Sequence, residues 1–167
     1  MTTNFTLNPV NPDHYKKLLK FGEVIFNICN KVNVSPVIYG SLACFYHTKN
    51  ENMKVNDLDL LVPENSFPDF INQLKNHKEL TYEKMQYPSI VVHSDDLKID
   101  LDSIEKYLFP RSASTESTKI DGISYNILNP DSLIDIYQEA VDRMPRTKEF
   151  DKQRELYLNK IDSLKNA

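Results

Sequence analysis

Apolar positions recur along this chain in two rhythms. Tyr15, Leu18, Leu19, Val24, Ile25 and Ile28 follow a helical spacing, which predicts a helix with one buried stripe. Asn11 stands where an N-cap belongs and Pro12 suits the first helical position, so this helix should open there and close near Asn30–Asn33. Gly22 weakens its middle. Val37–Tyr39, a short β-branched and aromatic run, reads as a buried strand that stops at Gly40-Ser41. Leu42–His47 then reads as a short helix. In Asn56–Val62 the rhythm changes, with acidic and apolar positions alternating over Asp57-Leu-Asp-Leu60. Asp57 and Asp59 leave one face of a strand there, while Leu58, Leu60 and Val62 leave the other, into a core.

The same reading carries on to the C-terminal end. Pro63–Ser66 is a turn with Ser66 as a cap, and Phe67, Phe70, Ile71 and Leu74 predict a helix over Phe67–His77. Leu80–Met85 and Ser89–His93 read as strands broken at Tyr87-Pro88. Ser94-Asp-Asp96 is a turn into a further strand, Leu97–Ile104, which carries Asp100 and Asp102 on one face. Arg111–Lys119, rich in Ser and Thr, reads as a polar loop near the site. Asp121-Gly122 is a hairpin turn before a strand at Ile123–Leu128. Asn129-Pro130 opens the first of two closing helices, Leu133–Met144 and Lys148–Leu164, which occupy residues 130–164 and break at Pro145. Residues 1–10 read as a loose arm. The expected fold is α+β: an α/β-type mixed sheet with flanking helices mainly on one face, in one domain over residues 1–167, with the carboxylates converging at one edge.

Composition narrows the function. With 167 residues the chain can bury a sizeable core. A net charge of −4 and a pI near 5.6 argue against a DNA-binding surface and suit a site that gathers cations. Cys29 and Cys44 lie among apolar residues and read as buried free thiols, and the absence of a Cys/His cluster argues against structural zinc. The first residues hold neither a basic start nor an apolar signal run, and no segment approaches a membrane span, so a cytoplasmic protein without a membrane partner is expected.

Two stretches carry chemistry. At Gly40-Ser41 the glycine lets backbone approach a ligand closely, and the Ser41 hydroxyl with the helix N-terminus behind it can bind phosphate. Asp57 and Asp59 repel each other unless a cation sits between them, and Mg²⁺ is the natural filling for paired carboxylates. A phosphate cradle beside a carboxylate pair is equipment for metal-assisted phosphoryl or nucleotidyl transfer.

Gly40-Ser41, a short helix and then Asp57-Leu-Asp59 resemble the signature of the nucleotidyltransferase superfamily, that of polymerase β. The layout is most similar to small bacterial members: the lincosamide and aminoglycoside nucleotidyltransferases, which act in antibiotic resistance, and the minimal nucleotidyltransferases of toxin–antitoxin pairs. The resemblance covers roughly residues 36–155. It implies a nucleotidyltransferase-like fold, Mg²⁺ as cofactor, a nucleoside triphosphate (ATP) as one partner and an acceptor that the sequence does not name. It also implies a third carboxylate from a neighbouring strand. Ile99-Asp100-Leu101 matches that element, so Asp100 is the expected metal ligand and general base, with Asp102 as an additional acidic contact. Asp57, Asp59 and Asp100 are thus both the catalytic and the metal set; Gly40, Ser41 and Lys148 are the nucleotide-binding set. Lys54 stands in a shifted place relative to the basic residue of many relatives, so a phosphate contact and a solvated lysine both stay open for it. Two function classes follow: a nucleotidyltransferase moving AMP from ATP to a hydroxyl of a small molecule or partner protein, and a non-catalytic binding or regulatory protein of the same fold.

Overall fold

The computed structural model describes residues 4–86, 88–108 and 114–167. In chain order its elements are β1 (Asn4–Phe5), α1 (Pro12–Lys31), β2 (Val37–Tyr39), α2 (Gly40–Thr48), β3 (Leu58–Val62), α3 (Phe67–Leu74), β4 (Thr81–Lys84), β5 (Ser89–Ser94) and β6 (Leu97–Ser103). There follow α4 (Ile104–Leu108), β7 (Thr115–Ile120), β8 (Ile123–Leu128), α5 (Pro130–Arg143) and α6 (Asp151–Lys165). The strands form one mixed sheet of eight in the order β1-β7-β8-β2-β3-β6-β5-β4. β2 runs antiparallel to β3 and parallel to β8, and β3 runs parallel to β6.

Alternation sorts β3 and β6 into two surfaces. Leu58, Leu60, Val62, Ile99 and Leu101 are buried on one, and α1 lies against it. Gly22 lies at that contact, where a Cβ would stand 2.9 Å from the end of the Leu58 side chain, Cδ2. Its helix-weakening character is the cost of a close approach. The opposite surface carries Asp57, Asp59, Lys98, Asp100 and Asp102. α5 and α6 pack on each other and on α2, and wall the space in front of the acidic residues. The mixed-sheet fold class expected from the pattern is the one observed, but helices stand on both surfaces, α1 against the apolar one and α2, α5 and α6 before the acidic one, and not mainly on one face.

Several boundaries differ from expectation. The N-terminal segment is no loose arm over its described part: Asn4 and Phe5 pair in parallel with Lys119 and Ile120, and Phe5 is buried against Phe45 and Tyr46. A two-residue strand is too short to show a periodicity. Thr115–Lys119, read as loop, belongs to β7, a polar strand with only Thr118 and Ile120 buried. Arg111–Ala113 of that stretch, and Tyr87 of the predicted break before β5, lie outside the described residues. Asn11 precedes α1 but does not cap it; its side-chain amide bonds both backbone groups of Val55, tying the helix start to the segment before β3. Asn129 does cap α5, accepting a hydrogen bond from the Ser132 amide at 2.9 Å. Finally, the carboxylates converge mid-sheet, on central strands, and not at a sheet edge.

Candidate active site

The site begins where β2 ends. Gly40 has φ +71°, a left-handed conformation that disfavours a side chain, and a Cβ there would lie 2.1 Å from Asp59 Oδ2. The close neighbour that demands glycine is therefore the carboxyl of Asp59, where the sequence suggested a ligand. α2 starts at once, with no side chain capping its first turn. Its free amide groups and the Ser41 hydroxyl face the cleft. Ser41 Oγ accepts a hydrogen bond of 2.9 Å from Lys160 Nζ on α6, 119 residues away.

Pairing of β3 with β6 brings the acidic residues together. Asp59 is in register with Asp100, so both carboxyls stand on the same face of neighbouring strands. Burial, followed by the charges of Asp100, Asp102 and Asp57, holds the Asp59 carboxyl well above the usual carboxylate range. Asp102, in register with Leu61, is buried behind this pair and is hydrogen-bonded by the hydroxyls of Tyr39 and Ser89. Burial pushes Asp102 upward too, and those two hydrogen bonds pull it partly back. Of the two acidic residues on β6, Asp100 is the one whose side chain keeps 18% exposure and lies beside Asp59.

Lys98 shares the face of Asp100 and was not singled out in the sequence. Its Nζ lies 3.4 Å from Asp100 Oδ2 and 3.9 Å from Asp57 Oδ2. Burial lowers the affinity of this amine for its proton, but Asp100 and Asp57 outweigh that, and its pKa lies above the ordinary value. Among the described residues, no three His, Cys, Asp or Glu side chains are gathered tightly enough to hold a metal ion as they stand. The donor chemistry nonetheless fits a hard divalent cation: three oxygen-only carboxylates crowd together, and a protein-borne cation already stands between two of them. Strand alternation could have revealed Lys98, since it lies two positions before Asp100.

Gly40, Ser41, Asp57, Asp59 and Lys98 line one cleft of about 760 Å³ with Tyr137, Arg143, Tyr157 and Lys160 of α5 and α6. Lys160 packs over the Tyr137 and Tyr157 rings at 5.3 and 5.9 Å. Burial pulls its pKa below the ordinary value, and Cys44 and Asp59 offset part of this. Tyr137 is also buried, and its hydroxyl has no hydrogen-bond partner among the described residues. Lys148 is exposed in a single 3₁₀ turn before α6 and does not line the cleft, whereas Lys160 of α6 does. Lys54 is exposed outside the cleft as well. The resemblance points to Lys148 through a Lys-x-x-Asp element at the head of the last helix, whereas α6 presents a later part of itself, Gln153 to Lys160, to the cleft. Cys29 and Cys44 are buried free thiols as expected, and burial pushes them up to about 12 and 11.

No family model matches the sequence, and no curated protein matches it. Solved structures do match. An antigenic nucleotidyltransferase-like protein from Paracoccidioides brasiliensis superposes with a TM-score of 0.64 at 12% identity, over 89% of this chain and 75% of that one. The antibiotic-resistance factor ANT(2'')-Ia gives 0.63 at 15% identity, over 90% of each chain. The lincosamide antibiotic adenylyltransferase LnuA gives 0.54 at 13% identity, over 89% of this chain and 95% of that one. The fold is that of the nucleotidyltransferases. The likeness in fold extends over about nine-tenths of this chain.

Proposed function

We propose that this chain is a metal-dependent nucleotidyltransferase that transfers AMP from ATP to a hydroxyl group of an acceptor. The observation that carries the reading is the meeting of two opposite chemistries in one cleft. The α2 N-terminus, Ser41 and Lys160 offer hydrogen-bond donors and positive charge for phosphate, while Asp57 and Asp59 line the same cleft and Asp100 stands in register beside Asp59. The fold shared with ANT(2'')-Ia and LnuA supports it.

In this reading Asp57, Asp59 and Asp100 hold Mg²⁺. Bound there, Mg²⁺ supplies charge neutralisation at the α-phosphate and at the entering and leaving oxygens. Ser41, Lys160 and the first amides of α2 hold the β- and γ-phosphates and so fix the leaving pyrophosphate. Asp100, less buried than Asp102, accepts the proton of the acceptor hydroxyl as it attacks in line. Asp102, hydrogen-bonded by Tyr39 and Ser89, keeps β6 and β2 in place behind the reacting groups. Products are the nucleotidylated acceptor and pyrophosphate.

Mass spectrometry of candidate acceptors, aminoglycosides and lincosamides among them, after incubation with ATP and Mg²⁺ tests this. A mass gain equal to AMP, lost in Asp100→Asn, is expected. A gain equal to one phosphate overturns the chemistry, and nucleotide binding without any gain moves the protein to the non-catalytic class.

A further inference from the structure

We propose that Lys98 is a tethered counter-ion of the carboxylate site, which must leave before a divalent cation enters and which therefore couples metal binding to nucleotide binding. This rests on the reading of Asp57, Asp59 and Asp100 as the metal-holding group. The Lys98 ammonium stands 3.4 Å from Asp100 Oδ2 on β6 and 3.9 Å from Asp57 Oδ2, just before β3. Of the other cations that line the cleft, Lys160 bonds Ser41 and Arg143 pairs with Glu139, and among the described residues neither they nor Lys106 form an ion pair with Asp57 or Asp100. Lys98 is thus the basic side chain that ion-pairs with Asp57 and Asp100 on the acidic face.

A divalent ion bridging the same oxygens cannot share them with an ammonium at that distance, because like charges so close repel strongly. Lys98 has the means to move. Its side chain is 39% exposed, it lines the cleft, and its stem has four flexible methylenes. The cleft also holds Ser41 and the α2 N-terminus, so a triphosphate there offers the displaced ammonium a new anionic partner. Metal alone must expel Lys98 into water, whereas metal arriving with a nucleotide hands it to phosphate oxygens. The two ligands then bind with positive cooperativity, and by linkage each raises the affinity of the other by the same factor.

The experiment is titration with Mn²⁺, without nucleotide and then with a non-hydrolysable ATP analogue, followed by electron paramagnetic resonance and by thermal unfolding. Wild type, Lys98→Met, Lys98→Gln, Lys98→Arg and Asp59→Asn are compared. Without nucleotide, the two neutral variants should bind Mn²⁺ on the order of tenfold more tightly than wild type, and Lys98→Arg should resemble wild type. The analogue should tighten Mn²⁺ binding markedly in wild type and much less in the neutral variants. Neutral variants that fold only when Mn²⁺ is supplied also support the proposal, since the metal then replaces the ammonium. Mn²⁺ affinity in Lys98→Met and Lys98→Gln that is equal to or weaker than wild type overturns it, while loss of binding in Asp59→Asn leaves the metal-site reading standing. No Mn²⁺ binding by folded wild type or neutral variants overturns both.

Discussion

Two glycines press on strand β3 from opposite sides, and they do so for different reasons. Gly22 of α1 meets the apolar surface, where a Cβ would lie 2.9 Å from the end of the Leu58 side chain. Gly40 meets the acidic surface, where a Cβ would lie 2.1 Å from Asp59 Oδ2, and its backbone is left-handed as well. A leucine methyl can rotate away within a packed but apolar layer. The Asp59 carboxyl is hemmed in by Asp100, Asp102 and Asp57 and has no comparable freedom. One side of the strand is built for cohesion, and the other keeps like charges crowded in a fixed geometry. Stability and chemistry should therefore separate by face.

The sharpest separation comes from Leu60→Ala on the apolar side. Leu60 is fully buried, and its truncation should cost about 3 kcal/mol in urea denaturation. Nucleotide affinity measured by calorimetry well below the melting temperature should stay within about twofold, since Leu60 faces away from the cleft. A loss of affinity as large as the loss of stability would break the division between the faces.

Gly40→Ala should show the reverse. A left-handed alanine and the displaced Asp59 together cost about 2 kcal/mol of stability. Nucleotide binding should vanish in the protein that remains folded. Retained Mg²⁺-dependent binding would mean that Asp59 can move without harm.

Asp59→Asn should stabilise the metal-free fold by about 1 kcal/mol, or roughly 2–4 °C in melting temperature, because crowded negative charge is relieved. Mg²⁺-dependent ATP binding should disappear with it. The pH profile carries a sign that can be checked. Asp59 binds its proton more tightly folded than unfolded, so its contribution is present below the ordinary carboxylate pKa of about 3.9 and is lost as pH rises toward the elevated folded value. The metal-free wild type should lose stability across that interval relative to Asp59→Asn. Parallel profiles for the two proteins would show that Asp59 is not held neutral by its surroundings.

The smallest effect is expected at Gly22→Ala. Alanine gains about 1 kcal/mol of helix propensity, and the contact with Leu58 Cδ2 takes back a similar amount, so the net change in urea should be under about 0.5 kcal/mol. A loss of several kcal/mol would show the apolar face to be as rigid as the acidic one.

Much of this arrangement is legible in the chain alone. Side chains alternate across a strand by local geometry, so Asp57 and Asp59 must share a face, as must Asp100 and Asp102, whatever surrounds them. Turn and cap chemistry is equally local, and Asp121-Gly122 and Asn129 behave as their residue types require. β1 and β7 escaped notice because two residues carry no period and because a Ser/Thr-rich strand lacks the apolar alternation of a half-buried one. What only the tertiary structure decided is which charges meet. Asp59 stands beside Asp100 because β3 and β6 pair in that register. Asp102 is withdrawn because Tyr39 reaches it across β3. Lys98 lies between Asp57 and Asp100, and Lys160, not Lys148, reaches Ser41. Propensity and periodicity act over a few neighbouring residues, whereas the position of an ammonium relative to a carboxylate or hydroxyl is set by how whole strands and helices dock, and no local pattern encodes that.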